Sequence, residues 1–220
     1  MLMIFKDRIE AARKLAEALR KYMGEKDVIV LAIPRGGLEL GYELAKLLRL
    51  PLDTVISKKI PFPGEEEVAI GAVSHEGKVS LYREIIAQAG VPQEYIRQEI
   101  ERLTKLVAEK YARYREGKPF SELRGKTVIL TDDGIATGHT MFAAIEFVKS
   151  KGPKKLVVAV PVAPPEVVEK VKKIVDEVVC LYTPSFFMAV GQFYENFRQV
   201  SDEEAIEFLK RGSDRPGYSA

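Results

Sequence analysis

The sequence contains a single cysteine, almost no net charge and no long apolar stretch, and each absence excludes a class of protein. Cys180 has no second cysteine to pair with, which excludes an intrachain disulfide and a multi-cysteine metal site, so we interpret it as a small buried apolar residue. The 34 basic and 32 acidic side chains nearly balance, so no strong field is available to attract nucleic acid or an anionic membrane. We therefore expect neither as a partner.

No stretch reaches the roughly 18 apolar residues that a membrane-spanning helix requires, and the first ten residues are not a basic leader followed by an apolar run. We therefore expect a soluble, cytoplasmic protein. Asparagine occurs once, whereas lysine and glutamate are abundant. This balance is often found in heat-adapted proteins, and it suggests a thermophilic source.

Short apolar runs alternate with amphipathic segments along most of the chain. We predict strands at residues 28–33, 54–56, 69–73, 127–130, 156–160 and 178–181. Helices are predicted before Gly24, where apolar residues recur at helical spacing, and at residues 38–48, 140–150 and 166–175. This alternation predicts an α/β fold with a doubly wound, mostly parallel sheet.

Two segments depart from this alternation. Residues 92–117 are highly charged, but apolar residues share one helical face, which predicts a long inserted helix: Ile96, Ile100, Leu103, Val107, Tyr111 and Tyr114. Residues 182–197 are rich in aromatic side chains and are predicted to be irregular. A helix over residues 201–210 follows, opened by a capping box of Ser201 and Glu204. We expect one domain, residues 1–212, followed by a flexible tail, residues 213–220.

The most informative motif is residues 128–140, VILTDDGIATGHT, in which an apolar strand ends in two acids and passes through small residues into a helix. A helix N-terminus presents unpaired N–H groups and the positive end of the macrodipole, so backbone amides and threonine hydroxyls over residues 136–140 can hold a phosphate. Asp132 and Asp133 would repel that phosphate, but they can accept hydrogen bonds from the vicinal hydroxyls of an attached sugar. The motif therefore predicts a site for a phosphorylated ribose.

An ordinary Asp-Gly turn with solvated acids is the alternative interpretation of this motif. We favour the phosphate site because a hairpin turn would lead into a strand, whereas residues 141–148 have helical composition.

At all thirteen positions the motif resembles the phosphoribosyl pyrophosphate (PRPP) signature of the type I phosphoribosyltransferases. The resemblance implies that Asp132 and Asp133 contact the ribose hydroxyls. It implies that the 5′-phosphate is bound by Ala136, Thr137, Gly138, His139 and Thr140. It also implies an enzyme that transfers 5-phosphoribosyl from PRPP to a nitrogen acceptor and releases pyrophosphate. Mg²⁺ would arrive with PRPP, held mainly by the ligand's own oxygens, with the two aspartates acting through water and no resident metal site.

A second loop, Ile33-Pro34-Arg35-Gly36-Gly37, follows the first predicted core strand and precedes a helix. That placement puts backbone amides and a guanidinium at the carboxyl edge of the sheet, where open α/β folds bind ligands. Arginine matches phosphate oxygens bidentately, and the glycines permit close approach of the backbone to an anion. Alone the loop would be a surface turn, but the resemblance implies that Arg35, Gly36 and Gly37 bind pyrophosphate.

Lys58 and Lys59 lie at the end of the second predicted strand, where two cations can neutralise pyrophosphate. A solvated basic pair is the alternative, and Lys58 is the stronger candidate of the two. The resemblance implies that the residues after them form a mobile lid. With Arg35, Asp132 and Asp133, Lys58 completes our predicted catalytic set.

In the resembling family a hood of variable sequence selects the base, and we place it at about residues 1–23 and 182–200. Phe186, Phe187 and Phe193 are candidates to stack on a base, although packing of the hood is the alternative for most of them. Ala136 stands where members acting on 6-oxopurines carry an acid, which weighs against hypoxanthine and guanine. We expect a nucleobase acceptor and a homodimer.

Two other functions are compatible with the same motifs. One is a non-catalytic regulator that senses PRPP or a nucleotide. The other is a transferase whose acceptor is not a free nucleobase. This is compatible with the helix at residues 92–117, which has no obvious counterpart in the usual purine and pyrimidine salvage enzymes.

Overall fold

The computed structural model describes residues 5–213. The strands are β1 Val28–Ala32, β2 Leu52–Thr54, β3 Ser57–Phe62, β4 Glu65–Ser74, β5 Val79–Leu81, β6 Thr127–Thr131, β7 Lys155–Val162 and β8 Glu177–Tyr182. The helices are α1 Arg8–Ala18, α2 Gly36–Leu48, α3 Arg83–Ala89, α4 Gln93–Arg115, α5 His139–Ser150, α6 Pro165–Lys172 and α7 Asp202–Ser213. Two 3₁₀ helices lie at Arg20–Tyr22 and Val190–Phe193.

Five strands form a parallel sheet in the order β2-β1-β6-β7-β8. Every residue of β1 is buried, because alternate side chains enter two different cores. Val30 packs with α1, α2 and α7, whereas Ile29 and Leu31 pack with α5 and α6. The predicted doubly wound α/β fold is therefore confirmed. The order also places β1 and β6 side by side at the point where the chain changes direction across the sheet, which is where such folds bind ligands.

A second, antiparallel sheet of β3, β4 and β5 corrects the sequence prediction in this region. Residues 69–73 were expected to continue the parallel alternation, but they belong to the central strand of this small sheet. The residues after Lys59 continue β3 and turn at Pro63-Gly64 into β4, so the segment expected to form a lid is a β-hairpin, and its mobility stays a prediction. The predicted strand 54–56 also lies two residues too late, because the pairing of β2 with β1 covers Leu52–Thr54.

The predicted long helix is confirmed as α4, which joins the two sheets. Near its start, Ile96 and Leu103 pack against Ile60 and Ile70 of the small sheet. Near its end, Val107 and Tyr114 enter the main core. The helix therefore spans from the hairpin of β3 and β4 to the parallel sheet.

The N-terminal segment pairs with the aromatic segment that follows β8. The N–H of Phe5 donates to the carbonyl of Phe193 at 2.8 Å, and the N–H of Glu195 donates to the carbonyl of Phe5 at 2.8 Å. These are the two segments in which we placed the hood, although residues 1–4 lie outside the described part of the chain. Both hydrogen bonds of the Ser201–Glu204 capping box are present, at 2.9 and 3.1 Å, as predicted.

At the C-terminus, Ser213 was assigned to the tail but is the last residue of α7, and residues 214–220 lie outside the described part. Cys180 of β8 is half-buried, and burial raises the pKa of its thiol to about 11. None of the helices in residues 5–213 combines the length and the hydropathy that crossing a bilayer requires.

Candidate functional site

Two loops meet at the carboxyl ends of β1 and β6 and contact each other through their glycines and acids. A Cβ atom added to Gly36 would lie 1.9 Å from Oδ2 of Asp133, and one added to Gly37 would lie 2.7 Å from Oδ1 of Asp132. No other residue fits at either position without displacing a carboxylate. The Pro34–Arg35 peptide bond of this loop is cis. The structure thus brings together the two motifs that the sequence singled out separately.

The two acids differ in how they are held. Oδ1 of Asp132 accepts the backbone N–H of Asp133 at 2.8 Å, and Oδ2 of Asp133 accepts Nε of Arg8 at 2.8 Å. Burial, followed by repulsion from Asp133, raises the pKa of Asp132 well above its ordinary value. Burial also raises the pKa of Asp133, and Arg8 opposes that rise. Within the described part of the chain, Arg8 is the one cation that forms an ion pair with either acid.

Arg8 is the main site residue that sequence reasoning missed. It is only 4% exposed, and its Nη1 donates to Oε2 of Glu39 at 3.2 Å and to the carbonyl of Arg198 at 2.9 Å. Its guanidinium also lies 4.2 Å from the ring centre of Phe197. The sequence did contain a signal for this role: Arg8 stands four residues before Ala12, so a cation shares the apolar face of the first helix.

Tyr194 ties the aromatic segment to the acidic turn. Its hydroxyl donates to the backbone carbonyl of Asp133 at 2.6 Å, and the side chain is 6% exposed between the rings of Phe5 and Phe197. Burial raises the pKa of Tyr194, so the hydroxyl stays protonated and remains a donor at neutral pH. The position of Asp133 is thereby fixed through both its side chain and its backbone.

The predicted phosphate loop opens α5. Ala136, Thr137 and Thr140 are exposed, and His139 is the first helical residue. Gly138 precedes the helix with φ +86°, where a Cβ would approach the ring of Phe142 to 2.7 Å. The first N–H groups of a helix have no intrahelical acceptor, so they point into the space before it. A cavity of about 160 Å³ lies there, lined by residues 134–141 with Asp132 and Val190.

The predicted pyrophosphate cations lie in the loop after β1 and on β3. Arg35 is exposed immediately before α2, and Lys58 is exposed on β3. Lys59 is half-buried, because adjacent residues of a strand point to opposite faces. Among the described side chains, no acid forms an ion pair with Arg35 or Lys58.

The three candidate base-stacking rings have different environments. Phe193 has no exposed surface, and it packs against Tyr182 and Phe187. Phe186 is 69% exposed and Phe187 is half-buried. A cavity of about 370 Å³ lies between Ala136 and Thr137 of the phosphate loop, the start of α6, and the aromatic segment, which contributes Pro184, Ser185, Phe187 and Met188 but not Phe186.

Comparison with known proteins agrees with this geometry. Residues 3–198 match the family model of the phosphoribosyl transferase domain. The chain belongs to this family. It is 39% identical over 209 residues, 94% of its length, to the Mycobacterium tuberculosis H37Rv protein named "Putative phosphoribosyl transferase Rv0571c", of which the match covers 47%. The phosphoribosyl transferase chain described here thus spans about half the length of that relative.

Among solved structures, the chain is similar to TT1426 from Thermus thermophilus. The two are 40% identical, with a TM-score of 0.85, over 96% of this chain and 99% of the other. The phosphoribosyl transferase fold therefore extends over nearly the whole chain, including α4.

Proposed function

We propose that the protein is an enzyme that transfers the 5-phosphoribosyl group of PRPP to a nitrogen acceptor and releases pyrophosphate. The observation that carries the proposal is the contact between the Pro34–Gly37 loop and the Asp132–Asp133 pair, beside the phosphate loop of α5. Groups suited to pyrophosphate, ribose and 5′-phosphate then lie in the order in which PRPP carries them.

The phosphoribosyl end of the substrate uses the loop of β6 and α5. The 5′-phosphate accepts N–H groups at the start of α5 and the hydroxyls of Thr137 and Thr140. The ribose hydroxyls donate to Asp132 and Asp133. Arg8 and Tyr194 fix the position of Asp133 before the substrate binds. Binding therefore costs little conformational entropy at this residue.

The pyrophosphate end uses the loop of β1 and α2. The Arg35 guanidinium and the amides around Gly36 and Gly37 bind its oxygens, and Lys58 adds a further cation. As the nitrogen attacks the anomeric carbon, the carbon–oxygen bond to pyrophosphate breaks and negative charge accumulates on the leaving group. Cations already placed there stabilise that charge without reorganising. After the new bond forms, the attacking nitrogen gives up its proton to the departing pyrophosphate or to water.

Magnesium fits this site as an ion that arrives with PRPP. Asp132 and Asp133 offer the hard oxygen ligands that Mg²⁺ prefers. Among residues 5–213, no group of three or more His, Cys, Asp and Glu side chains is arranged to hold a metal. The substrate's oxygens and water would therefore complete the coordination, and the bound ion would neutralise part of the diphosphate charge.

We propose a nucleobase as the acceptor, bound in the cavity of about 370 Å³ between the phosphate loop and residues 184–188. Phe187 and Met188 line this cavity, so apolar surface is available to cover a planar ring. Ala136 stands where family members that act on 6-oxopurines commonly carry an acid, which favours bases other than hypoxanthine and guanine. The cytoplasmic location, the homodimer and the heat-adapted source stay predictions.

The test is pyrophosphate release from PRPP and magnesium chloride, measured against a panel of nucleobases. Release that depends on one base, and that is lost in Asp132→Asn/Asp133→Asn, is the expected result. Tight calorimetric binding of PRPP without release in the presence of any acceptor would contradict the transferase and support the sensing alternative.

A further inference from the structure

The long helix α4 reaches the pyrophosphate end of the proposed site through Lys110. We infer that Lys110 is a pyrophosphate-binding residue that acts together with Arg35 and Lys58. The inference rests on the proposed function. It gives a role to α4, the inserted helix that lies outside the alternation of strands and helices in the main sheet.

Three contacts fix the last turns of α4 against the rest of the molecule. Arg115 forms a buried ion pair with Asp53 of β2, with side-chain exposures of 3% and 0%. Tyr111 stacks on the ring of His75, with centroids 4.2 Å apart and planes 6° from parallel. The hydroxyl of Tyr114 donates to Oδ1 of Asp202 at 2.5 Å. Lys110 lies within this anchored stretch, so its position is determined by the packing of the helix.

The position of Lys110 along α4 matches the edge where the substrate is proposed to bind. Arg115 lies level with Asp53, inside β2, and Lys110 precedes it by five residues, about 7.5 Å along a helix. The direction is given by Tyr111, which stacks on His75, whose backbone N–H donates to the carbonyl of Ile56 just past the carboxyl end of β2. Going back along α4 from Arg115 to Lys110 therefore leads toward the ligand-binding edge of the sheet. The Lys110 ammonium itself lies 5.2 Å from the ring centre of Tyr114.

The charges around Lys110 are mostly of its own sign. Burial lowers the pKa of Lys110; Asp202 opposes that effect, whereas Lys58, Arg35 and Arg113 lower the pKa further. The packing of the helix agrees with this: Leu103 of α4 packs with Ile60 of β3, and Tyr111 stacks on His75 beside Ile56. Lys58 lies between Ile56 and Ile60, on the strand that this stretch of α4 covers. Within the part of the chain that the structure describes, no acid forms an ion pair with Lys110, Lys58 or Arg35.

Arg113 and Asp202 are already committed to other partners. Arg113 pairs with Asp202 and Glu203, and Asp202 also accepts from Tyr114. Arg35, Lys58 and Lys110 thus have no ion-pair partner among the side chains described. A compact polyanion with oxygens in several directions is the ligand that relieves this repulsion, and pyrophosphate is such an anion.

The test compares Lys110→Met with Lys105→Met, which removes the same charge from an exposed position of the same helix. Calorimetric titrations use inorganic pyrophosphate with magnesium chloride, and separately ribose 5-phosphate. We expect Lys110→Met to weaken pyrophosphate binding by about tenfold or more, the effect of losing one charge-assisted contact. Its affinity for ribose 5-phosphate should stay within about twofold, Lys110→Arg should keep most of the pyrophosphate affinity, and Lys105→Met should change neither affinity.

Unchanged pyrophosphate affinity in a folded Lys110→Met protein would overturn the inference. An equal loss in Lys105→Met would do the same, because it would reflect overall charge only. A parallel loss of ribose 5-phosphate binding would assign Lys110 a structural role instead. If the unmodified protein bound neither PRPP nor pyrophosphate, both the proposed function and this inference would fail, whereas failure of the variant alone leaves the transferase proposal intact.

Discussion

Replacing Arg8 by methionine is the sharpest perturbation of the acidic turn, because methionine keeps most of the apolar stem and removes the charge. The change leaves Asp133 and Glu39 without the guanidinium that both contact. Removing one partner of a buried ion pair costs about 3–5 kcal/mol. Glu39 retains its ion pair with Arg198, and Asp133 is 13% exposed, so relaxation should limit the loss.

We therefore expect Arg8→Met to lower the free energy of unfolding by about 3 kcal/mol. For a chain of this size that corresponds to a melting temperature lower by about 6–12 °C. Urea denaturation and thermal melting at neutral pH measure it. The control is Arg13→Met, an exposed position of the same helix, which should change stability by less than about 0.5 kcal/mol.

The same variant should make ligand binding more sensitive to pH. Because Arg8 opposes the rise that burial causes in the pKa of Asp133, its loss lets that pKa rise further. A smaller fraction of Asp133 is then ionised at neutral pH, so affinity for ribose 5-phosphate falls and recovers as the pH is raised. If Arg8→Met melted like Arg13→Met and bound the ligand with an unchanged pH profile, the central role of the Arg8–Asp133 pair would be refuted.

Three further predictions concern the acids, the glycine loop and a buried histidine. Asp132→Asn/Asp133→Asn should weaken binding of ribose 5-phosphate severely while the protein stays folded; unchanged calorimetric affinity would contradict the ribose role. Gly36→Ala, whose Cβ would lie 1.9 Å from Oδ2 of Asp133, should lower both stability and pyrophosphate affinity. Unchanged values of both would contradict the requirement for glycine at this position. Burial lowers the pKa of His75 to about 4, below its ordinary 6.5. Stability present above pH 6.5 should therefore be lost as the pH falls toward 4, by up to about 1.4 kcal/mol per pH unit in urea titrations, and His75→Phe should remove that slope.

The parts of the site that the sequence predicts well are local. Residues 128–140 and 33–37 each form a continuous strand, loop and helix, so their chemistry and their geometry come from neighbours along the chain. Their mutual contact follows from the parallel order of β1 and β6, which the alternation of strands and helices already favours. For this reason two motifs identified independently meet in the structure.

The parts that could not be predicted depend on partners far away in the sequence. Arg8 and Asp133 are 125 residues apart, and a basic residue at the start of a helix is ordinarily solvated. Asp53 interrupts an apolar run, which displaced the predicted strand to residues 54–56. Its acid is instead buried within β2 because Arg115, 62 residues later, neutralises it. Periodicity also cannot distinguish a buried antiparallel strand such as β4 from a parallel one, so the small sheet was missed.

The acids and the cations of the site are suited to different parts of the proposed substrate. Asp132 and Asp133 are half-buried side by side and, among the residues described, only Arg8 forms an ion pair with either of them, so neutral hydroxyl donors satisfy them best. Lys58 and Arg35 both lower the pKa of Lys110, and the three cations form no ion pair with an acid among the side chains of residues 5–213, so a polyanion is the ligand that satisfies them best. A molecule that joins a hydroxyl-bearing sugar to a diphosphate relieves both kinds of repulsion at once. Neither half alone can do so, because ribose leaves the cations unpaired and pyrophosphate leaves the acids unpaired. Binding should therefore relieve the unfavourable electrostatic free energy of these like charges. The relief, and hence the affinity, should be greater for intact PRPP than for either half alone.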